Sequence, residues 1–228
     1  MHVEIWSDIA CPWCYVGKRR FEAALAAFEH RDEVRVTWRS FELDPGAPAE
    51  RVGDRAEHLA AKYGSSVEQA HAMHAQMTEM ASTEGLDFNF RVARSGNTLD
   101  AHRLVHLAAA HDRQDAMKER LMRAYLTEGE LMSDRAALER LAVDVGLDAE
   151  EARETLASDR FAAEVREDER TASALGINAV PCFVIDRRIG APGAQPAEVL
   201  GEFLRRGWEA RSPLEVVASG DACGPDGC

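Results

Sequence analysis

Apolar and polar positions alternate at the start of the chain. Val3 and Ile5 fall on one face, His2 and Glu4 on the other, which is the period-2 pattern of a strand. After Cys11-Pro12-Trp13-Cys14 the period lengthens: Phe21, Leu25 and Phe28 recur at helical spacing, with Ala23, Ala24, Ala26 and Ala27 among them. Pro12 suits the first turn of that helix, where its missing N–H costs nothing. Val34, Val36 and Trp38 then alternate with Arg35, Thr37 and Arg39, predicting a second strand and a β-α-β order.

The run Asp44-Pro45-Gly46-Ala47-Pro48 breaks this pattern, and a helical period follows for over about a hundred residues. Ala101, Leu104, Val105 and Ala108 share a face, as do Met117, Leu121, Ala124 and Tyr125, and Leu138, Leu141, Ala142 and Val145. Ser133 is placed to cap the last of these and Gly146 to end it. Asp148 and Glu151 have capping-box spacing, and a longer helix is predicted from about Asp159 to Leu175, stopping at Gly176. Cys182-Phe183-Val184-Ile185 and Ile189 read as two short strands around an Asp186-Arg187-Arg188 turn. Pro196 opens a last helix with Val199, Leu200, Phe203 and Leu204. The remainder, rich in Gly and Pro, reads as a tail. A helical block of about 125 residues is too long for a loop. The expected division is therefore a discontinuous α/β domain of residues 1–44 and 176–210, an inserted helical domain of residues 45–175, and a tail of residues 211–228.

Length and charge narrow the picture. The 228 residues suffice for a buried core, and a hydrophobic share of 46% beside 29% charged residues is ordinary for a folded chain. A net charge of −13 repels phosphate backbones and anionic lipid heads, so nucleic acid and membrane surfaces are not expected partners. No apolar run reaches the roughly 20 residues of a spanning helix. The Met1-His2-Val3-Glu4 start has neither the basic nor the apolar region of a signal peptide, so the expectation is a cytoplasmic protein, monomeric or homodimeric.

The five cysteines carry the candidate chemistry. Cys11 and Cys14 stand at a strand-to-helix junction, Cys182 directly follows Pro181, and Cys223 and Cys228 frame Gly-Pro-Asp-Gly. A thiolate, not a thiol, attacks a disulfide, and unpaired N–H groups at a helix N-terminus stabilise negative charge on sulfur. Cys11 is therefore expected to attack, with Cys14, one turn further in, resolving the mixed disulfide. The alternative is a zinc half-site, which would make the chain a structural or sensing protein; a strand before the pair and a helix after it favour redox. The Val180-Pro181 bond, just before a strand, is a candidate cis peptide whose edge would pair with substrate backbone.

Taken in order, Cys11-Pro12-Trp13-Cys14, Phe41-Glu42-Leu43, the run from Asn97 to Leu104, Ala179-Val180-Pro181 and Gly193-Ala194-Gln195-Pro196 resemble the FrnE-like branch of the DsbA thioredoxin-fold family. The resemblance spans nearly the whole chain. It implies a thioredoxin fold with a large inserted all-helical domain, and thiol–disulfide oxidoreductase or disulfide isomerase activity on protein or small-thiol substrates. It makes Cys11 the nucleophile, Cys14 its partner and Pro181 the cis-proline, and it puts Pro12, Trp13, Val180, Asn97 and His102 on the substrate side. No bound cofactor or metal is implied, and glutathione enters as a candidate co-substrate. Related kappa-type glutathione transferases and 2-hydroxychromene-2-carboxylate isomerases use a serine where this chain has Cys11, so a glutathione-dependent isomerase or transferase is the rival reading.

Two departures carry expectations of their own. Trp13 replaces the His of the periplasmic DsbA motif, removing a polar neighbour and predicting a less oxidising couple than the about −120 mV of DsbA. Cys182 replaces a small polar or apolar residue and reads either as a third reactive sulfur or as packing. Cys223 and Cys228 suit a local disulfide or a relay to Cys11. The His71/His74 and His102/His106 pairs, and Met73, Met77 and Met80, are expected to be packing or surface residues rather than metal or heme ligands.

Overall fold

The computed structural model describes residues 1–211. Cys223 and Cys228 lie outside the described residues. Four strands, β1 (His2–Ser7), β2 (Arg35–Ser40), β3 (Cys182–Ile185) and β4 (Ile189–Pro192), form one sheet in the order β2-β1-β3-β4. β1 and β2 are parallel, joined by α1 (Pro12–Ala26); β3 runs antiparallel to β1 and to β4. The register sets Ile5 between Trp38 and Phe183. One face of the sheet packs Val3, Ile5 and Phe183 with Phe21 of α1 and with Leu200 and Leu204 of α9 (Ala197–Glu209).

The other face is less polar than the alternation of β1 suggests. Glu4 is buried because Arg39 reaches it at 2.7 Å and Arg187 at 2.9 Å, which pairs its charge where water is excluded. Trp6 lies on this face too and donates its Nε1–H to the carbonyl of Asp168 at 2.9 Å.

Between β2 and β3 run α2 (Arg55–Tyr63), α3 (Val67–Thr83), α4 (Leu99–Ala109), α5 (Gln114–Arg123), α6 (Arg135–Asp144), α7 (Ala149–Ala157) and α8 (Ala162–Ala174). The apolar stripes of α4, α5 and α6 are buried as their spacing predicts. Local signals mislead at three points. Asp134, not Ser133, caps α6, accepting from the N–H of Ala136 and Ala137; the Ser133 hydroxyl instead donates to the carbonyl of Ala49. The helix expected from Asp159 starts at Ala162, because Phe161 stands in the left-handed region at φ 65° and breaks the turn before it. The helical period is also interrupted between α3 and α4, where Gly85 turns the chain at φ +72°. Of the three methionines, Met77 is buried, Met80 is partly buried and Met73 is exposed.

The helices share one core with the sheet. A continuous apolar cluster runs from Val3 and Phe183 through Cys14 to Leu104 and Leu121. Polar ties cross the same boundary: Asp168 of α8 accepts from the Ser40 N–H at 2.9 Å, and Asp115 of α5 accepts from the Trp38 indole at 2.9 Å. Among the described residues no helix is long and apolar enough to cross a membrane.

Candidate active site

β1 ends at Ser7, and four residues later Cys11 caps α1 in extended conformation, φ −89° and ψ 111°. Its carbonyl accepts from the Cys14 N–H at 3.1 Å, closing the first turn and bringing the second cysteine beneath the first. Pro12 occupies the first helical position. Trp13 points outward and is 45% exposed, whereas both sulfurs are enclosed.

The Val180–Pro181 peptide bond is cis, and the Cys11 thiol points at the Val180 carbonyl, 3.7 Å away. α1 approaches this loop closely enough that Gly17 has no room for a side chain: a Cβ there would lie 2.9 Å from the Pro181 ring. The absence of a side chain at position 17 is thus what lets the helix bearing the dithiol dock on the proline loop.

Beneath the dithiol lies a set of buried polar groups from separate elements. The Asp8 carboxylate accepts from the Leu43 N–H at 2.8 Å and the Ala10 N–H at 3.3 Å, and meets His102 Nε2 at 3.3 Å. Burial pushes the Asp8 carboxyl up, but the bond from His102, the Leu43 N–H and the Lys118 charge together hold it below the usual range. Burial pushes His102 down, so the ring is neutral at pH 7, with Nε2–H assigned as the donor to Asp8. Lys118 of α5 is also buried and donates to the Ser7 carbonyl at 3.0 Å. The Cys14 thiol is pushed well above its ordinary value by burial first and then by Cys11, while Lys118 and the Ser7 side chain pull it back.

A groove of about 540 Å³ opens beside this cluster and ends at Ala10, next to Cys11. Arg51, Arg55 and Lys62 give its outer wall a cationic character, with His58 beside them and Asp8 and Asp44 at the inner side. Arg51 is tied to Asp44 at 2.8 Å, and Arg55 bonds the Tyr125 hydroxyl.

The expected site residues separate into three groups. Cys11, Cys14, Pro12, Trp13, Val180 and Pro181 converge at one end of the sheet. Asn97 stays near the groove wall, its Oδ1 accepting from the Leu99 N–H at 2.9 Å at the start of α4. His102 does not line the substrate side: it is fully buried behind Asp8, because α4 turns it inward on the same face as Val105. Cys182 is also apart. It pairs across the sheet with Trp6 and packs against it and Val184, whereas its neighbour Phe183 stacks on Phe21 of α1 at 5.3 Å. Alternation along β3 therefore points Cys182 away from the dithiol helix. Burial alone pushes its thiol up to about 11. Among the described residues no three His, Cys, Asp or Glu side chains converge as a metal-ligand set.

Sequence reasoning passed over Asp8, Gly17 and Lys118. Lys118 left a legible signal: with Leu121, Met122 and Tyr125 it falls on a helical stripe that is otherwise apolar.

Comparison with known proteins gives the geometry a family. The crystal structure of a "probable DsbA oxidoreductase" from Streptomyces coelicolor is 50% identical in sequence and superposes with a TM-score of 0.94, over 100% of this chain and 98% of that one. The cytosolic disulfide reductase DsbM from Pseudomonas aeruginosa, solved with GSH, is 20% identical with a TM-score of 0.65, over 92% of this chain and 100% of that one, and shares the fold. The uncharacterized protein YwbO of Bacillus subtilis is 28% identical over 208 residues, 90% of this chain and 96% of its own length. The model of the DSBA-like thioredoxin domain matches residues 2–205. With nearly the whole chain matched and a cysteine pair at the start of the first helix, the protein belongs to the DSBA-like thioredoxin family of oxidoreductases.

Proposed function

We propose that the protein is a thiol–disulfide oxidoreductase working through Cys11 and Cys14. The observation that carries this reading is the position of Cys11: at the cap of α1, facing the Val180 carbonyl beside Pro181, with Cys14 one turn inside. In the reductive direction the Cys11 thiolate attacks one sulfur of a substrate disulfide, and the other leaves as a thiolate that takes a proton from water. Cys14 then attacks the Cys11 sulfur, forming the Cys11–Cys14 disulfide and releasing the second substrate thiol. Two electrons pass from the protein to the substrate; run backwards, the same steps oxidise a dithiol, and run only to the mixed disulfide they isomerise. The backbone edge at Val180, held beside the cis-proline and just before β3, is suited to pair with substrate main chain, as an added strand does.

The cationic wall of the groove beside Cys11 favours a small acidic thiol as the second substrate, and glutathione has that chemistry. The glutathione-bound disulfide reductase of the same fold is in keeping with this, and with a cytoplasmic setting. The test is trapping: in a Cys14→Ser protein, mass spectrometry is expected to find glutathione or a cysteine peptide held on Cys11 alone, while the unchanged protein reduces the same disulfide with turnover. A Cys14→Ser protein that keeps full turnover and forms no adduct overturns this reading and favours the glutathione-dependent isomerase or transferase.

A further inference from the structure

Burying an ammonium costs several kcal/mol unless a counter-charge or a full set of hydrogen bonds repays it. Lys118 has neither. Among the described residues its Nζ makes one hydrogen bond, to the Ser7 carbonyl, and no carboxylate lies within ion-pair reach. A methionine would fill the same space at less cost. The titratable groups that face it are Cys14 of α1 and Cys11 at its cap, Asp8 from the loop before it, His102 of α4 and Asp168 of α8. From β2 the Trp38 ring lies 5.8 Å away. Asp8 is already bonded to His102 and two backbone N–H groups, and Asp168 to Arg39 and Ser40. Cys14 has no such set of bonds, and no cation other than Lys118 faces it.

Cys14 needs such a partner most. It is 1% exposed, and a thiolate there is as costly to bury as the ammonium. We propose that Lys118 is a positioning residue for the resolving step, its ammonium supplying the counter-charge that lets the buried Cys14 sulfur ionise and attack the mixed disulfide on Cys11. In that step Cys14 Sγ bonds Cys11 Sγ, and the Cys11–substrate S–S bond breaks with its electron pair on the substrate sulfur. The Cys14 proton passes to solvent as that sulfur ionises, the departing thiolate takes a proton from water where it is basic enough, and Lys118 keeps its own. Burial draws Lys118 down to about 8, with Cys14, Asp8, Cys11 and Asp168 drawing it up, so it is mainly an ammonium at pH 7. The inference rests on the dithiol reading above.

The test uses the full chain with Cys182, Cys223 and Cys228 replaced by serine, so that only the dithiol reacts with 5,5′-dithiobis(2-nitrobenzoate). Attack by Cys11 releases one coloured thiolate, and resolution by Cys14 releases the second. Lys118→Met is expected to slow the second release at least tenfold at pH 7, to slow the first by less than threefold, and to move the half-maximal pH of the second upward. Lys118→Arg restores the charge and part of the rate. Equilibration with glutathione is expected to shift tenfold toward the protein disulfide, about 30 mV more reducing. An unchanged second phase and equilibrium overturn the proposal. If the methionine variant does not fold, NMR titration of the Lys118 side chain in the reduced and disulfide forms decides instead. Linkage requires the lysine to titrate at higher pH when the sulfurs are reduced, and identical titrations overturn the proposal. A parent protein that releases only one equivalent sinks the dithiol reading itself, a separate result.

Discussion

Lys18 and Lys118 are both buried and lie near the same Trp38 ring, at 5.9 and 5.8 Å, yet their surroundings are opposite. Lys18, on α1, meets Asp115 at 3.2 Å and Glu119 at 3.1 Å, and also bonds Glu22. Burial pulls its ammonium down, but Asp115, Glu22 and Glu119 outweigh that and hold it above the ordinary lysine value. Lys118, on α5, has a carbonyl within bonding reach and no carboxylate within ion-pair reach, with the two sulfurs, Asp8 and Asp168 further off, and burial wins. The pair shows that burial by itself does not mark a functional charge. A buried cation surrounded by carboxylates is a structural tie; one left facing reactive groups is available to chemistry.

The comparison can be broken most sharply at the dithiol that Lys118 faces. Cys11→Ser is expected to lower disulfide reductase turnover by at least about 10³-fold, to the uncatalysed level, whereas Lys18→Met changes it by less than twofold. Turnover with a glutathione mixed disulfide, each variant checked for its fold by circular dichroism, measures both.

The two lysines should next part in stability. Lys18→Met leaves Glu22 and Glu119 with Arg19 as their remaining close cation and Asp115 with no ion pair among the described residues, and is expected to cost about 2 kcal/mol after allowance for their partial exposure. Lys118→Met removes an unpaired buried ammonium and is expected to raise stability at pH 7 by about 1–3 kcal/mol. Urea unfolding of the reduced proteins reads both, and a destabilised Lys118→Met would place that lysine among the structural ties.

The pH dependence carries the same opposition in sign. Lys118 is depressed in the fold from 10.5 to about 8, so the folded state binds fewer protons than the unfolded one between those values. Its penalty is therefore full below about pH 8 and is relieved as pH rises toward 10.5, which narrows the stability gap between the parent and Lys118→Met. Lys18 is raised, so its contribution is full below 10.5 and is lost only as pH climbs through its higher folded value. Unfolding curves at pH 7, 8.5 and 10 check both signs.

The smallest effect is expected at Cys182. It is a buried thiol with no cation beside it and no helix end, and burial alone raises it to about 11. Cys182→Ala should change reductase turnover by less than twofold, and Cys182 in the native protein should alkylate far more slowly than Cys11 with iodoacetamide.

Much of the fold was legible because it is locally encoded. The alternation at Val3 and Ile5, the helical stripe at Leu104 and Ala108, and Pro12 after Cys11 each involve residues within a turn or a strand of one another. Where several residues compete for a local role the local pattern does not decide: Ser133 and Asp134 both suit a cap, and Asp134 takes it while the Ser133 hydroxyl bonds the Ala49 carbonyl. The substrate-side place that the resemblance implies for His102 does not hold, because the side of α4 that turns inward is fixed by packing.

The sequence alone determined that a strand runs into a helix begun by Cys11, with Cys14 one turn along and a proline before a later strand. Those features follow from backbone preference and periodicity over short separations. Only the tertiary structure decided that His102 closes on Asp8 from 94 positions away and Lys118 on Ser7 from 111, and that Cys182 turns its back on the dithiol. Burial and charge pairing depend on which distant segments meet, and the free energy of a buried ion is set by those meetings rather than by its neighbours in the chain.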